Sequence, residues 1–214
     1  MTPPMSRDHI LHKVRTAIGR SSGQPPAEPP PLLLRAPDIG LERRLELFTT
    51  ELGKLGGHVS LAVSCEEARC LTERLLAGRS AVASNSKFLR ECGLASLPGV
   101  FTGFVDPGEL REAAASCEVG ITSADYALAD TGSLVLFSSP EESRLISLLP
   151  PLHIAVVPKE RLLTGLDELF QLLPDPAGTA SAMVIITGPS RTADIEQILV
   201  RGVHGPGSVQ VIFV

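Results

Sequence analysis

Short runs of consecutive aliphatic residues alternate along most of this chain with longer segments whose apolar positions recur every three or four residues. The runs predict strands at His58–Val63, Ser80–Ser84, Glu118–Thr122, Ser133–Phe137, His153–Val157, Ala182–Thr187 and Val209–Val214. The recurring positions predict helices over Leu41–Leu55, Glu66–Leu76, Lys87–Glu91, Glu109–Ser116, Leu162–Leu173 and Ala193–Val200, with a helical turn at Glu141–Ser147. Gly56-Gly57 and Gly78 supply stop signals. Strands that are apolar throughout, each followed by a helix, predict an α/β domain whose mostly parallel sheet is flanked by helices. Ligands in such folds sit where the carboxyl ends of the strands lead into loops.

Upstream, Ile10, Val14, Ala17 and Ile18 give Ser6–Ile18 the spacing of an amphipathic helix. His9 and His12 on it lack a nearby third ligand, so a solvated face is expected there and no metal site. Gly19–Asp38 is rich in Pro, Ser and Gly and predicts a semi-extended linker. The expected organisation is therefore an N-terminal helix and linker over 1–40 and an α/β domain over 41–214.

Composition narrows the function. The 214 residues carry 19 basic against 24 acidic side chains, with no basic cluster and few aromatic residues, which argues against nucleic acid. No apolar run approaches a membrane span and the N-terminus lacks a signal-peptide pattern, so a cytoplasmic protein is expected. Cys65, Cys70, Cys92 and Cys117 lack the C-x2-C spacing of zinc or iron–sulfur sites and are expected to be reduced structural thiols.

Neither of the glycine-rich nucleotide fingerprints occurs, nor a G-x-S-x-G elbow, nor H-E-x-x-H. Three polar, glycine-bearing segments do adjoin predicted strands. In GITSADYALADTGSLVL, Asp125 follows one strand and Thr131-Gly132 turns into the next. In SRLISLLPPLHIAVV, Arg144 is placed to clamp an anion or to cap carbonyls, and His153 opens a strand as a structural histidine or a general base. In ITGPSRTADIE, Gly188 and Pro189 shape a turn after a strand, with Ser190 or Thr192 as cap of an expected helix. Arg191 beside that helix start would form a receptor for carboxylate or phosphate. Downstream, the GVHGP loop exposes His204. Thr131, Gly132, Arg144, Gly188, Ser190, Arg191, Thr192 and His204 are the ligand-binding candidates, and His204 or Asp125 is the candidate for proton transfer.

Taken together, GITSADYALADTGSLVL, SRLISLLPPLHIAVV, ITGPSRTADIE and GVHGP resemble the LUD-domain family, over Glu118 to Val214. The resemblance implies a fold like that of ribose-5-phosphate isomerase, glucosamine-6-phosphate isomerase and the CoA transferases. It also implies a part in oxidising L-lactate to pyruvate, beside companion proteins that carry the iron–sulfur clusters. With no cluster ligands of its own, this chain would be the cluster-free component and would bind a small anion or support assembly. The alternatives are a stand-alone enzyme on a phosphosugar or acyl-CoA, or a non-catalytic anion-binding module. CoA transfer in the related fold uses a glutamate nucleophile. The acids flanking the expected site are Asp125, Asp130, Asp194 and Glu196, so no glutamate stands out.

Overall fold

A computed structural model of the chain describes residues 6–21, 23–25, 39–193 and 199–214, apart from the side chains at 177, 179, 192–193 and 199–201. The chain divides between Leu33 and Leu34. The first unit contains helix α1 (Arg7–Ala17), started by Ser6, whose side chain accepts from the His9 N–H.

The second unit carries, in order, α2 (Leu41–Lys54), β1 (His58–Leu61), α3 (Cys65–Leu76), β2 (Ala81–Ala83), α4 (Lys87–Glu91), β3 (Val100–Phe101), α5 (Pro107–Ser116), β4 (Val119–Ser123), β5 (Tyr126–Leu128) and β6 (Ser133–Phe137). It continues with α6 (Arg144–Leu148), β7 (Leu152–Val157), β8 (Leu162–Leu163), α7 (Leu166–Leu172), α8 (Pro176–Thr179), β9 (Met183–Ile186), β10 (Arg191–Ala193), β11 (Leu199–Arg201) and β12 (Ser208–Phe213). None of the described helices is long and apolar enough to cross a membrane.

Six strands form one wholly parallel sheet in the order β1-β12-β7-β4-β2-β3. All six residues of β7 are buried, as a strand covered on both faces requires. Its Ile154 and Val156 pack with Ala68, Leu76 and Leu89 of α3 and α4. Ala155 and Val157 face the opposite way, toward Phe48 of α2 and Leu134 of β6. Phe48 meets Phe213 of β12 edge to face, with ring centroids 5.0 Å apart. On this second side, α6 presses so closely on the sheet that a Cβ at Gly120 would lie 1.9 Å from the Ile146 carbonyl oxygen.

The second side also carries a four-stranded sheet, β8-β5-β6-β9, in which β5–β6 and β6–β9 are antiparallel. Its outer residues Leu128, Val135 and Phe137 are covered by Leu169 of α7. The layers are therefore α3 and α4, the large sheet, then the small sheet with α2 and α6 beside it, and α7 outermost. The mostly parallel sheet flanked by helices agrees with the sequence pattern; the second sheet was foreshadowed only by Ser133–Phe137 and Ala182–Thr187.

Three expectations are corrected. Leu162–Leu163 is a strand pairing with β5, and the helix begins only after Thr164-Gly165, because the Glu168 carboxylate accepts from the Thr164 N–H and marks the turn. The helix expected over Ala193–Val200 is replaced at both ends by the antiparallel pair β10 and β11, with Arg191 opposite Arg201; residues 194–198 lie outside the described set. Strand pairing here outweighs the helical spacing of the local sequence. Finally, Cys65 and Cys92 are joined as a disulfide, leaving Cys70 and Cys117 free. The pairing was invisible in the spacing because 27 residues separate the partners, and α3 and α4 bring them together only in the folded chain.

Candidate functional site

After β2 the chain runs outward to β3, whereas after β4 it runs through the small sheet and α6 to β7 on the other side. The carboxyl ends of β2 and β4 thus diverge, which creates the crevice where doubly wound sheets bind ligands. Ser84, Asn85 and Ser86 follow β2; Ser123, Ala124 and Asp125 end β4.

Into this crevice comes Glu142, from the loop that follows β6. Ser139 shapes that loop, its hydroxyl accepting from the N–H groups of Glu141 and Glu142 at 3.2 and 3.0 Å. The Asn85 N–H donates to the Glu141 carbonyl at 2.8 Å and ties the loop to the end of β2. Glu142 is only 8% exposed. Its Oε2 accepts from Ser84 Oγ at 2.8 Å and from Ser123 Oγ at 3.1 Å, and Ser86 Oγ stands 2.8 Å from Ser123 Oγ. The other oxygen, Oε1, is buried without a hydrogen-bond partner in the structure. Burial pushes this carboxyl up to about 8, against the smaller opposing effect of the serine hydroxyls. At neutral pH Glu142 is therefore an un-ionised acid, able to donate a proton in a hydrogen bond.

Asp125 stands beside it. Its Oδ2 accepts from the Phe137 N–H at 2.7 Å, and burial raises its carboxyl above the ordinary range although that hydrogen bond and the Arg161 charge oppose the shift. Two lobes of a cleft meet at Ser123, Asp125 and Phe137. The polar lobe, of about 340 Å³, is lined by Ser86, Lys87, Ser138, Ser139 and Glu142. The apolar lobe, of about 290 Å³, is walled by Phe88, Tyr126, Pro158 and Leu173, with Arg161 at its edge. The Arg161 guanidinium lies 5.3 Å from the Tyr126 ring centroid and donates to its hydroxyl at 3.2 Å.

Of the residues singled out from sequence, Asp125 lies in this cleft. Arg144, exposed at the start of α6, shares with Glu142 the lining of a small adjoining void. The others gather at the far end of β6. Gly132 (φ 63°) packs on the backbone of Leu52, and Gly188 (φ 78°) packs on the side chain of Leu55. Ser133, next to Thr131, shares hydroxyl contacts of 2.8 Å with both Thr131 and Thr187. Ser190 exchanges backbone hydrogen bonds with Gly202 and Pro206, which brings it beside the loop of exposed His204. Thr192 pairs with Val200 in β10 and β11.

Arg191 does not stand at a helix start; its guanidinium donates to the Leu55 carbonyl just past the end of α2. The anticipated composite wall is thus split, because β6 is antiparallel to β5 and runs four residue steps, about 13 Å, between the two places. His153 is fully buried, its Nε2 2.8 Å from Thr122 Oγ1, and burial lowers it to about 4, so it is a neutral core histidine. Sequence reasoning also missed Glu142. Its only local signal was the small polar run Ser138-Ser139-Pro140 directly after a strand that is apolar from Leu134 to Phe137.

The LUD-domain profile matches residues 45–214. A lactate utilization protein C from Exiguobacterium sp. is 33% identical over 183 residues, which cover 81% of this chain and 78% of the relative. The protein of that name from Bacillus subtilis is 42% identical over 114 residues, 51% of this chain and 48% of the relative. A crystal structure of a DUF162-family protein from Deinococcus radiodurans shares the fold, with a TM-score of 0.61 at 18% identity, over 83% of this chain and 99% of that one. With its α/β architecture and the profile running from α2 to the last residue, the chain belongs to the LUD-domain family.

Proposed function

We propose that this protein is the cluster-free component of a cytoplasmic system that oxidises L-lactate to pyruvate, and that it binds a small carboxylate in the cleft between β2 and β4. The names of its relatives support the pathway. The observation that carries the ligand reading is Glu142: a buried carboxyl, un-ionised at neutral pH, offers a hydrogen-bond donor instead of a repelling charge to an incoming anion. Arg161 and Lys87 at the two lobes add positive charge. In this reading the iron–sulfur clusters belong to partner proteins. The layered sheets favour kinship with the ribose-5-phosphate isomerase, glucosamine-6-phosphate isomerase and CoA-transferase fold.

The test is twofold. Deleting the gene should abolish growth on L-lactate, and the tagged protein should co-purify with iron–sulfur partners from lactate-grown cells. Normal growth on lactate together with loss of growth on another substrate would reject the pathway.

A second reading, a stand-alone enzyme on a phosphosugar or acyl-CoA, gains from the same glutamate, since a carboxyl held in a cleft is a candidate acyl-transfer nucleophile. It ranks second because the protonated acid is a poor nucleophile at neutral pH. Turnover of an acyl-CoA by the purified protein, lost in Glu142→Gln, would promote it.

In a third reading, Thr131, Gly132, Gly188, Ser190, Arg191, Thr192 and His204, away from the cleft, would supply the anion site of a non-catalytic module. Thermal stabilisation by phosphate or carboxylate that is lost in Arg191→Ala would support that site.

A further inference from the structure

The volume of the cleft is poorly matched to a three-carbon acid. The lobes, about 340 and 290 Å³, lie on either side of the lower limit of a pocket for a drug-sized ligand, roughly 300 Å³. The two lobes also differ in kind. Hydroxyls and the Glu142 carboxyl line one, while Phe88, Tyr126 and Leu173, all half-buried, stand around the other. A methyl group placed at the polar lobe would leave those three side chains in water.

We propose that the cleft binds 2-oxo acids whose side chain is apolar and larger than a methyl group, with the Glu142 carboxyl donating to an acceptor oxygen of the ligand and the side chain lying between Phe88 and Tyr126. This rests on the reading that the cleft takes a small carboxylate, and it names the class. Ser84 and Ser123 both place their hydroxyls on Oε2, which leaves Oε1, buried and without a partner, as the oxygen free to carry the proton. A 2-oxo oxygen is a pure acceptor and fits that donor. Lys87, which lines the polar lobe and lies 3.5 Å from Glu91 on its own helix, would have to turn from that exposed pair to meet the ligand carboxylate between Asp125 and Glu141. Arg161 is turned onto the Tyr126 ring and hydroxyl, so it borders the side-chain lobe as a flat wall. The charged and titratable groups around Glu142 are Asp125 after β4, Glu141 on its own loop, Lys87 on α4 and Arg144 on α6.

Titration calorimetry with pyruvate, 4-methyl-2-oxopentanoate and 2-oxoglutarate tests this. Each additional buried methylene is worth about fourfold in affinity, so 4-methyl-2-oxopentanoate should bind at least about tenfold more tightly than pyruvate. Phe88→Ala should reduce that ratio severalfold, and the milder Phe88→Leu should reduce it less. Glu142→Gln keeps a donor and should retain binding, now independent of pH between 7 and 9, whereas the native protein should weaken across that interval. Equal or tighter binding of pyruvate would overturn the proposal while leaving the small-carboxylate reading in place. Tightest binding of 2-oxoglutarate would also overturn it, by making Arg161 the receptor of a second carboxylate. If none of the acids binds while lactate growth still needs the gene, both the proposal and the ligand reading fall and the pathway stands.

Discussion

Ser84 and Glu142, 58 residues apart in sequence, meet through a 2.8 Å hydrogen bond that joins the end of the large sheet to the loop closing the small one. The hydroxyl donates and the carboxyl oxygen accepts, in a place from which water is excluded.

The acid's raised value makes stability depend on pH. Between the ordinary value of 4.5 and about 8, the folded protein holds the Glu142 proton while the unfolded chain has released it. Unfolding then releases a proton, so stability should fall as pH rises across that window and level off above it. The melting temperature of Glu142→Gln should lose this decline. Equal slopes for variant and native protein between pH 5 and 8.5 would contradict it.

His153 acts on the other side. Its value of about 4, against an ordinary 6.5, means that the unfolded chain binds a proton the folded one refuses. Stability should therefore drop as pH falls from about 6.5 to about 4 and change no further through this group below that. Replacing His153 with Gln, which can still meet the Thr122 hydroxyl, should flatten the acid limb of a denaturant-midpoint profile.

Gly120→Ala should be among the most damaging small substitutions, because its Cβ would collide with the Ile146 carbonyl oxygen, a backbone atom with nowhere to go. Overpacking of this kind costs about 3 kcal/mol, readable as a lowered urea midpoint. A midpoint unchanged from the native protein would show that α6 can ride away from β4.

Arg191→Ala removes a donor from the Leu55 carbonyl and should cost about 1 kcal/mol or less, since the side chain is exposed. The same variant should leave 2-oxo acid affinity unchanged, because the cleft lies at the opposite end of β6.

Thiol counting checks the cysteine pairing. The oxidised protein should yield two reactive thiols after denaturation, from Cys70 and Cys117, and the reduced protein four. Opening the bond should cost about 3 kcal/mol through the freed loop. In a cytoplasmic protein such a bond would be closed only under oxidising conditions. Four thiols in air-oxidised protein would refute the pairing.

The fold was legible wherever a segment is apolar on both sides, as in Ser133–Phe137, because such runs have few alternatives to a buried strand. Legibility failed where distant pairing decides. Arg191–Ala193 and Leu199–Arg201 bracket a stretch with helical spacing, yet they pair with each other. Asp125 was found because it lies two residues past the end of a strand. Glu142 was not, since Glu141 precedes it in the same polar loop and only contacts 58 and 19 residues away decide which of the two is buried. The glycines of the Thr131-Gly132 and Gly188-Pro189 turns are legible as turn formers, whereas their close approach to Leu52 and Leu55 is not, because residues far away in sequence create it.

The short loop from Ser139 to Glu142 is held to the large sheet by the Asn85 N–H and by the hydroxyls of Ser84 and Ser123. Its chemistry is therefore shared across layers: a change at Glu142 is felt at once by Ser84 after β2 and Ser123 of β4, so the loop and the ends of those two strands have to change together.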